Sequence, residues 1–248
     1  MSPGELLQTI GAALVIGALI GGIGVGGVLL VPWLTQVIGL PIHLALGIAM
    51  LAFTLPGAVV LVMAGRSDWR ATPAEWRLVL ATVPGALAGS AVLPFLAERA
   101  LFAILALAVS VVGLRLILAN GSDGPSTVAT KALAVGTPTG LATGFLSAIT
   151  GTGGPMVLTP WLLWRGTPLL GAVVLGQFVQ LPIAATATAG NLLAGSVDIV
   201  AGLSIGAMLV PGVFAGQRIA RLLPRRLLGL TVGWTLFAAA GAFLMKAL

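Results

Sequence analysis

Cysteine and tyrosine are absent from the 248 residues, histidine occurs once, and charged residues make up only 7% of the chain. Each shortage removes a class of function. Without cysteine there is no thiolate nucleophile, no disulfide and no thiolate metal site. A single histidine, His43, cannot build a polyhistidine metal centre, and no Asp, Glu, Lys or Arg interrupts the middle of an apolar run. A membrane serine hydrolase would have to recruit His43 alone. Neither a catalytic acid–base pair nor a metal cluster is assembled, so no enzyme activity, no cofactor and no metal is expected. A soluble domain is typically about a quarter charged, which this chain does not approach.

What is abundant is apolar: 58% of the residues are hydrophobic, in runs about 20 residues long that recur along the chain. That is the length needed to cross a hydrocarbon core of roughly 30 Å. The pattern predicts an all-α polytopic membrane protein. The formal net charge of +6 sits in short loops between apolar segments, where it acts as a topology signal and a lipid headgroup contact rather than a nucleic-acid surface. Trp33, Trp69, Trp76, Trp161 and Trp164 fall near segment ends, where interfacial anchoring is the ordinary role. MSPGELLQTIG at the start has no basic n-region, so no cleaved signal peptide is expected.

Glycine is the other surplus. In GGIGVGG, residues 21–27, Gly22, Gly24 and Gly27 spell G-x-G-x-x-G, which in soluble enzymes cradles a dinucleotide phosphate. That reading needs a strand before the glycines, a helix after them and an acidic residue about 20 residues on. Here the glycines lie between apolar membrane segments, and no nucleotide is expected.

The glycines are instead one half of a repeat. Shifting the chain against itself by 127 residues brings Gly17 onto Gly144, and Gly24-Val-Gly26-Gly27 onto Gly151-Thr152-Gly153-Gly154. The same shift brings Gly39-Leu-Pro41 onto Gly166-Thr-Pro168, and Pro84-Gly-Ala-Leu-Ala-Gly89 onto Pro211-Gly-Val-Phe-Ala-Gly216. Slight drift pairs Pro32-Trp33-Leu34 with Pro160-Trp161-Leu162, and Asp68 with Asp198. Residues 1–119 form the first membrane repeat, 120–130 a turn-rich linker beginning Asn120-Gly-Ser-Asp-Gly-Pro125, and 131–248 the second repeat. Each repeat reads as a glycine-broken segment (6–38; 132–164) followed by three helices: 42–64, 76–96 and 100–119, then 169–193, 199–219 and 227–247.

Charge decides how the halves are oriented. If each broken segment crossed the bilayer once, the halves would be parallel and the basic residues would divide six against six. If each broken segment instead enters and returns on one side, ten basic residues share a side and only Arg99 and Lys246 lie opposite. The second arrangement obeys the positive-inside rule. It predicts inverted repeats, two re-entrant hairpins, six full crossings and both termini outside. The segments 6–20 and 28–40 are each short for a crossing.

A break inside a membrane segment frees backbone N–H and C=O groups, tolerated only where the break is buried or lines a cavity. The half-helix after each break, near Gly27 and near Gly154-Pro155, aims a positive dipole end and free amides inward, an arrangement that favours an anion. Two inverted halves with matched breaks read as a transporter with its site where they meet. Small-residue helix packing, as at Gly17/Gly21, is the other use of these glycines.

GxGGxxxxPWL followed by a Gly-x-Pro turn, repeated in the second half, with PGxxAG before the last helix of each half, resembles the TauE/SafE sulfite exporter family, also called toluene sulfonate uptake permeases. The likeness covers essentially the whole chain. It implies transport of sulfite, sulfoacetate, other organosulfonates or small organic acids. The Ala-x-Gly-Thr-Ser stretch common in the family reads Ala45-Leu-Gly47-Ile-Ala49 here, without the hydroxyls.

The expected substrate-binding set is Gly24, Gly26, Gly27, Thr150, Gly151, Thr152, Gly153, Gly154, Gln177, Gln180, Asn191 and His43. Gln177 and Gln180 face one way on a helix, and polar groups inside a membrane need partners. Inter-helix bonding is the competing role for these amides, and a solvated interfacial position is the competing role for His43. Arg165 reads as a topology charge, and Asp68 and Asp198 as helix-end caps. Expected partners are a small anion and the lipid bilayer, with a homodimer left open and with no nucleic acid. A channel-like anion pathway and a non-transporting assembly factor are the rival functions. Arginine outnumbers lysine in a chain rich in Ala and Gly, which points to a bacterial protein and, for helical spans, the inner membrane.

Overall fold

Long apolar runs with few breakers fold into helices because only helices satisfy their own backbone in lipid. The computed structural model describes residues 3–23, 26–65, 73–118, 136–165, 167, 169–220, 222, 230, 234, 237, 240, 241 and 243–245. Among these residues every regular element is helical. α1 runs Pro3–Ile23, followed by a short irregular helix of a 3₁₀ turn (Gly26–Leu29), α2 (Leu30–Pro32) and a π turn (Trp33–Val37). Next come α3 (Ile42–Gly65), α4 (Pro73–Val92) with a 3₁₀ extension (Leu93–Phe95), and α5 (Glu98–Leu118). The second half contributes α6 (Thr137–Thr150), α7 (Pro155–Trp164), α8 (Leu169–Leu193) and α9 (Ile199–Ala220). Ile42–Val60, Glu75–Phe95 and Ile199–Ile219 are long and apolar enough to cross a membrane. The expected linker 120–130, most of the final helix 227–247, and Gly24 lie outside the described residues.

The second glycine-broken segment breaks where expected, between α6 and α7, while in the first α1 ends at Ile23 and the next described element begins at Gly26. α6 and α7 have 14 and 10 residues, about 21 and 15 Å at 1.5 Å per residue, too short to span. α1 has 21 residues, about 31 Å, longer than the 6–20 arm expected. Glycine lowers helix propensity by about 1 kcal/mol but does not by itself end a helix. Gly21 stays helical and serves to pack against the backbone of Val213.

The helices close on one another through glycine. A Cβ at Gly17, Gly212 or Gly216 would meet the carbonyl oxygens of Leu209, Leu14 and Ala18, joining α1 to α9. A Cβ at Gly144, Gly85 or Gly89 would meet those of Thr82, Leu141 and Phe145, joining α4 to α6. Adding 127 to the first-repeat positions and subtracting it from the second-repeat ones converts one set of contacts into the other, so the sequence repeat is also a repeat of contacts. Each broken segment packs on the second of the three helices that follow the broken segment in the opposite half. Such backbone approach is how membrane helices gain packing energy without a hydrophobic drive.

Register along the longer helices is equally regular. Gly47 meets Ser196, Gly202 meets Leu51, and Gly206 meets Ala52 and Leu55, so α3 and α9 rise together. The Phe178 ring stands edge-on to Trp76 at 5.3 Å, and Gly190 meets Ser90, so α8 and α4 rise together as well. α3 and α8 cross at the centre, where Gly57 meets Leu181. Phe243, among the described residues of the chain's last segment, is buried and lies 6.0 Å from Phe102 of α5.

Candidate functional site

The second break is built by three glycines in left-handed or extended-positive conformations. Gly151 caps α6 with φ 64° and ψ 27°, its N–H bonded to Ser147 O, and the N–H of Thr152 returns to the same carbonyl at 3.3 Å. This is an αL C-cap of the kind glycine makes without a Cβ penalty. Gly153 (φ 74°) and Gly154 (φ 112°) then reverse the chain into α7. Pro155 opens that helix, while Val157 and Leu158 both donate to Gly154 O at 3.1 Å. Pro155 has no N–H to strand at this position. The amides of Gly153 and Gly154 precede the helix and take no part in its ladder.

The two breaks touch. A Cβ at Gly27 would lie 3.0 Å from Phe53 Cζ and 3.3 Å from Thr152 O, and one at Gly153 would lie 3.1 Å from the same phenyl ring. Gly154 abuts Val179 and Ile183 of α8, and Gly151 abuts Leu46 and Val31. Residues 147–156 are all buried. At the crossing of α3 and α8, Gln180 Nε2 donates to Phe53 O at 3.3 Å, two residues separated by the repeat distance of 127. Phe53 and Gln180 are therefore counterparts under the repeat shift as well as neighbours in space.

Around that contact the two halves differ in chemistry. Gln177 Nε2 donates to Ile20 O at 2.7 Å, tying α8 to the last turn of α1. Thr150 Oγ1 donates to Leu146 O at 2.7 Å and lies 2.9 Å from Thr152 Oγ1. Shifted back by 127, Gln180, Gln177, Thr152, Thr150 and Ser147 become Phe53, Met50, Val25, Ile23 and Ile20. Every polar group at the break in the second half has an apolar counterpart in the first. Among the described residues no ionisable side chain is buried, and no group of ligating residues could hold a metal ion. What remains unpaired is polar and neutral. Ser147 Oγ, Gln177 Oε1, Thr188 Oγ1 and both amide atoms of Asn191 are buried without a hydrogen-bond partner.

The expected site residues divide accordingly. Gly27, Thr150, Gly151, Thr152, Gly153, Gly154, Gln177 and Gln180 come together, and Gly26 opens the 3₁₀ turn beside them. Asn191 is buried further along α8, and Gly190 next to it packs on Ser90. His43 lies one turn before Leu46, the residue covering Gly151, but its Nε2 is 3.2 Å from Leu96 O. Because a carbonyl only accepts, that nitrogen carries the proton. Arg165 is exposed with its guanidinium 5.4 Å from the Trp161 ring centroid, and Asp198 Oδ1 accepts from Ala201 N–H at 2.9 Å as the cap of α9. Asp68 lies outside the described residues. Trp33 departs from the anchoring role, since it packs on the core with its Nε1 sealed.

Two residues escaped sequence reasoning: Phe53 and Ser147. Both were findable by applying the 127-residue shift to the polar residues themselves and asking what stood opposite Gln180 and Ile20. A shallow cavity of about 510 Å³ between the first broken segment and α5 is lined by Thr35, Pro41 and Glu98 among others, and none of the break residues reaches it. Gly202-Leu203-Ser204-Ile205-Gly206 spells G-x-S-x-G. It lies inside the uninterrupted α9, with its glycines packed on Leu51 and Ala52, and lacks the strand–turn–helix setting that exposes a nucleophile.

The profile of the sulfite exporter TauE/SafE family matches residues 9–243. The chain belongs to this family. Searches of curated proteins and of solved structures each return no match. A TauE/SafE chain is a membrane transporter and not an enzyme, and the apolar helices agree with a place in the membrane.

Proposed function

We propose that this chain exports small sulfur-containing anions, such as sulfite, sulfoacetate or other organosulfonates, by alternating access where its two halves meet. The observation that carries the reading is the meeting of the two breaks, with Gly27 against Thr152 O and Phe53 against Gln180. The anion is bound by the start of α7, by the amides of Gly153 and Gly154, and by the polar side chains of the second half. Helix-start amides and dipole suit a negative charge, while the absence of a buried cation among the described residues lets the anion leave again.

The topology that fits is an inverted repeat with two re-entrant hairpins in a bacterial inner membrane. Along α3, Gly47 meets Ser196 just beyond the end of α8 while Gly57 meets Leu181 at its middle, the order of two helices running oppositely. α8 rises with α4, and α9 with α3, which supports opposite orientation of the equivalent helices α3 and α8. The ten-to-two division of basic residues supports the same arrangement. A carrier is favoured over a pore because the breaks are packed shut by Phe53, Leu46 and Ile183. An inside-negative potential of 100 mV assists export by about 2.3 kcal/mol per charge, so no acidic relay is required.

The test is a thermal-stability screen of purified protein against sulfite, sulfate, thiosulfate, sulfoacetate, isethionate and small carboxylates, then flux of each hit in proteoliposomes. Saturable flux with counterflow is expected. Stabilisation by none of these anions, or flux of a charged anion that ignores membrane potential, would count against the proposal.

A further inference from the structure

Thr188 and Asn191 extend the face of α8 that carries Gln177 and Gln180. At 3.6 residues per turn the four side chains fall within about 80° of one another, and Thr188 and Asn191 lie about 12 and 16 Å beyond Gln180. Both are deeply buried, Thr188 at 6% exposure and Asn191 at 1%. Neither Thr188 Oγ1 nor either amide atom of Asn191 has a hydrogen-bond partner. A buried amide that makes none of its bonds is unfavourable unless something that comes and goes supplies them.

Packing brings a third such group to the same flank. Gly89 of α4 abuts Ala148 of α6, and the next residue, Ser90, abuts Gly190 of α8. One turn of α4 thus lies between Phe145 and Ala148 of α6 and Gly190 of α8, and Ser147, next to Ala148, is fully buried with its Oγ unpartnered. The first half has no equivalent, because α3 carries no polar side chain beyond Thr54.

We propose that Thr188 and Asn191, with Ser147 at the edge of the break, form a second station adjoining the break site for a small oxoanion that still carries one proton. The inference rests on the transport reading. Asn191 supplies both a donor and an acceptor, and the two hydroxyls supply more donors, so the set matches an anion with one O–H and several bare oxygens. Gln177 offers the same acceptor at the first station. With its Nε2 held by Ile20 O, its Oε1 is left free for an O–H. The two stations are linked along one face of α8, and the second lies toward the end of that helix at Leu193.

The experiment uses the full chain in proteoliposomes with sulfite as probe. Asn191→Leu and Thr188→Val are expected to keep sulfite binding in detergent within twofold of the parent while slowing flux at least tenfold. Asn191→Cys, introduced into a chain with no other cysteine, is expected to react with a small methanethiosulfonate reagent in the absence of sulfite, whereas Leu203→Cys on the exposed face of α9 is not. Unchanged flux in Asn191→Leu overturns the station, as does joint loss of binding and flux, or an inert Asn191→Cys. A parent protein that neither binds nor moves sulfite counts against sulfite as the cargo instead, and the thiol reaction then still decides whether water reaches Asn191.

Discussion

Replacing Gln177 with methionine gives α8 the residue that α3 carries at the matched position, Met50, and separates the two roles open to this amide. As a strut, Gln177 contributes its 2.7 Å bond to Ile20 O, worth about 1 kcal/mol net, with a further penalty of about 1–3 kcal/mol if that carbonyl is left unpaired. Against this stands its own Oε1, buried without a partner, whose removal recovers a penalty of the same size, about 1–3 kcal/mol. The terms oppose one another, and Met is close in volume and flexible enough to fill the space. Stability should therefore change by no more than about 1 kcal/mol, a melting shift of about 2–4 °C for a chain of this length. Binding should suffer more. A hydrogen bond to a charged partner contributes about 1.5–3 kcal/mol, and each 1.4 kcal/mol is about tenfold in affinity, so sulfite affinity should fall roughly ten- to a hundredfold. The assay is a melting curve in detergent with a sulfite titration of parent and variant. A variant that melts far below the parent yet binds sulfite equally well would show Gln177 to be a strut and refute the reasoning.

Gly154→Val places a branched side chain at φ 112°, where even a Cβ would lie 2.9 Å from Ile183 Cδ1 and 3.0 Å from Val179. Sulfite-dependent stabilisation should disappear, and its survival would misplace the site. Gly85→Ala and Gly212→Ala each press a methyl into a backbone carbonyl, of Leu141 and Leu14 respectively. Both should destabilise by about 1–3 kcal/mol or more, by similar amounts if the contact repeat is genuine, as read by melting temperature. Arg218→Cys should resist a membrane-impermeant maleimide in intact cells and react after permeabilisation, and Arg99→Cys should react from outside; the reverse pattern inverts the proposed topology. His43→Gln preserves a donor toward Leu96 O, so flux should stay within about twofold of the parent, and abolished flux would give the ring a direct role.

Much of the fold was legible because a membrane leaves few alternatives. Apolar runs bounded α3, α8 and α9 to within a residue or so at each end, and Gly154-Pro155 marked the start of α7. α1 was misjudged because the GGIGVGG glycines suggest an early break, while Gly21 actually packs a continuous helix onto Val213. Phe53 was overlooked for a related reason: one more phenylalanine in an apolar run carries no local signal. G-x-G-x-x-G and G-x-S-x-G both occur, yet neither has the strand that would give it enzymatic meaning.

The sequence by itself determined that the chain is helical, embedded in lipid, doubled, and broken at two glycine clusters, because composition, run length and internal repetition are properties of the string. Tertiary structure alone decided that the clusters meet, that Phe53 and Gln180 stand opposite one another, and that Gln177 is held by Ile20. Those are contacts between residues some 125 positions or more apart, set by how glycine-faced helices seat against carbonyls. The asymmetry of the centre needed both: the repeat pairs each polar residue with an apolar one, and the fold brings one such pair, Phe53 and Gln180, face to face.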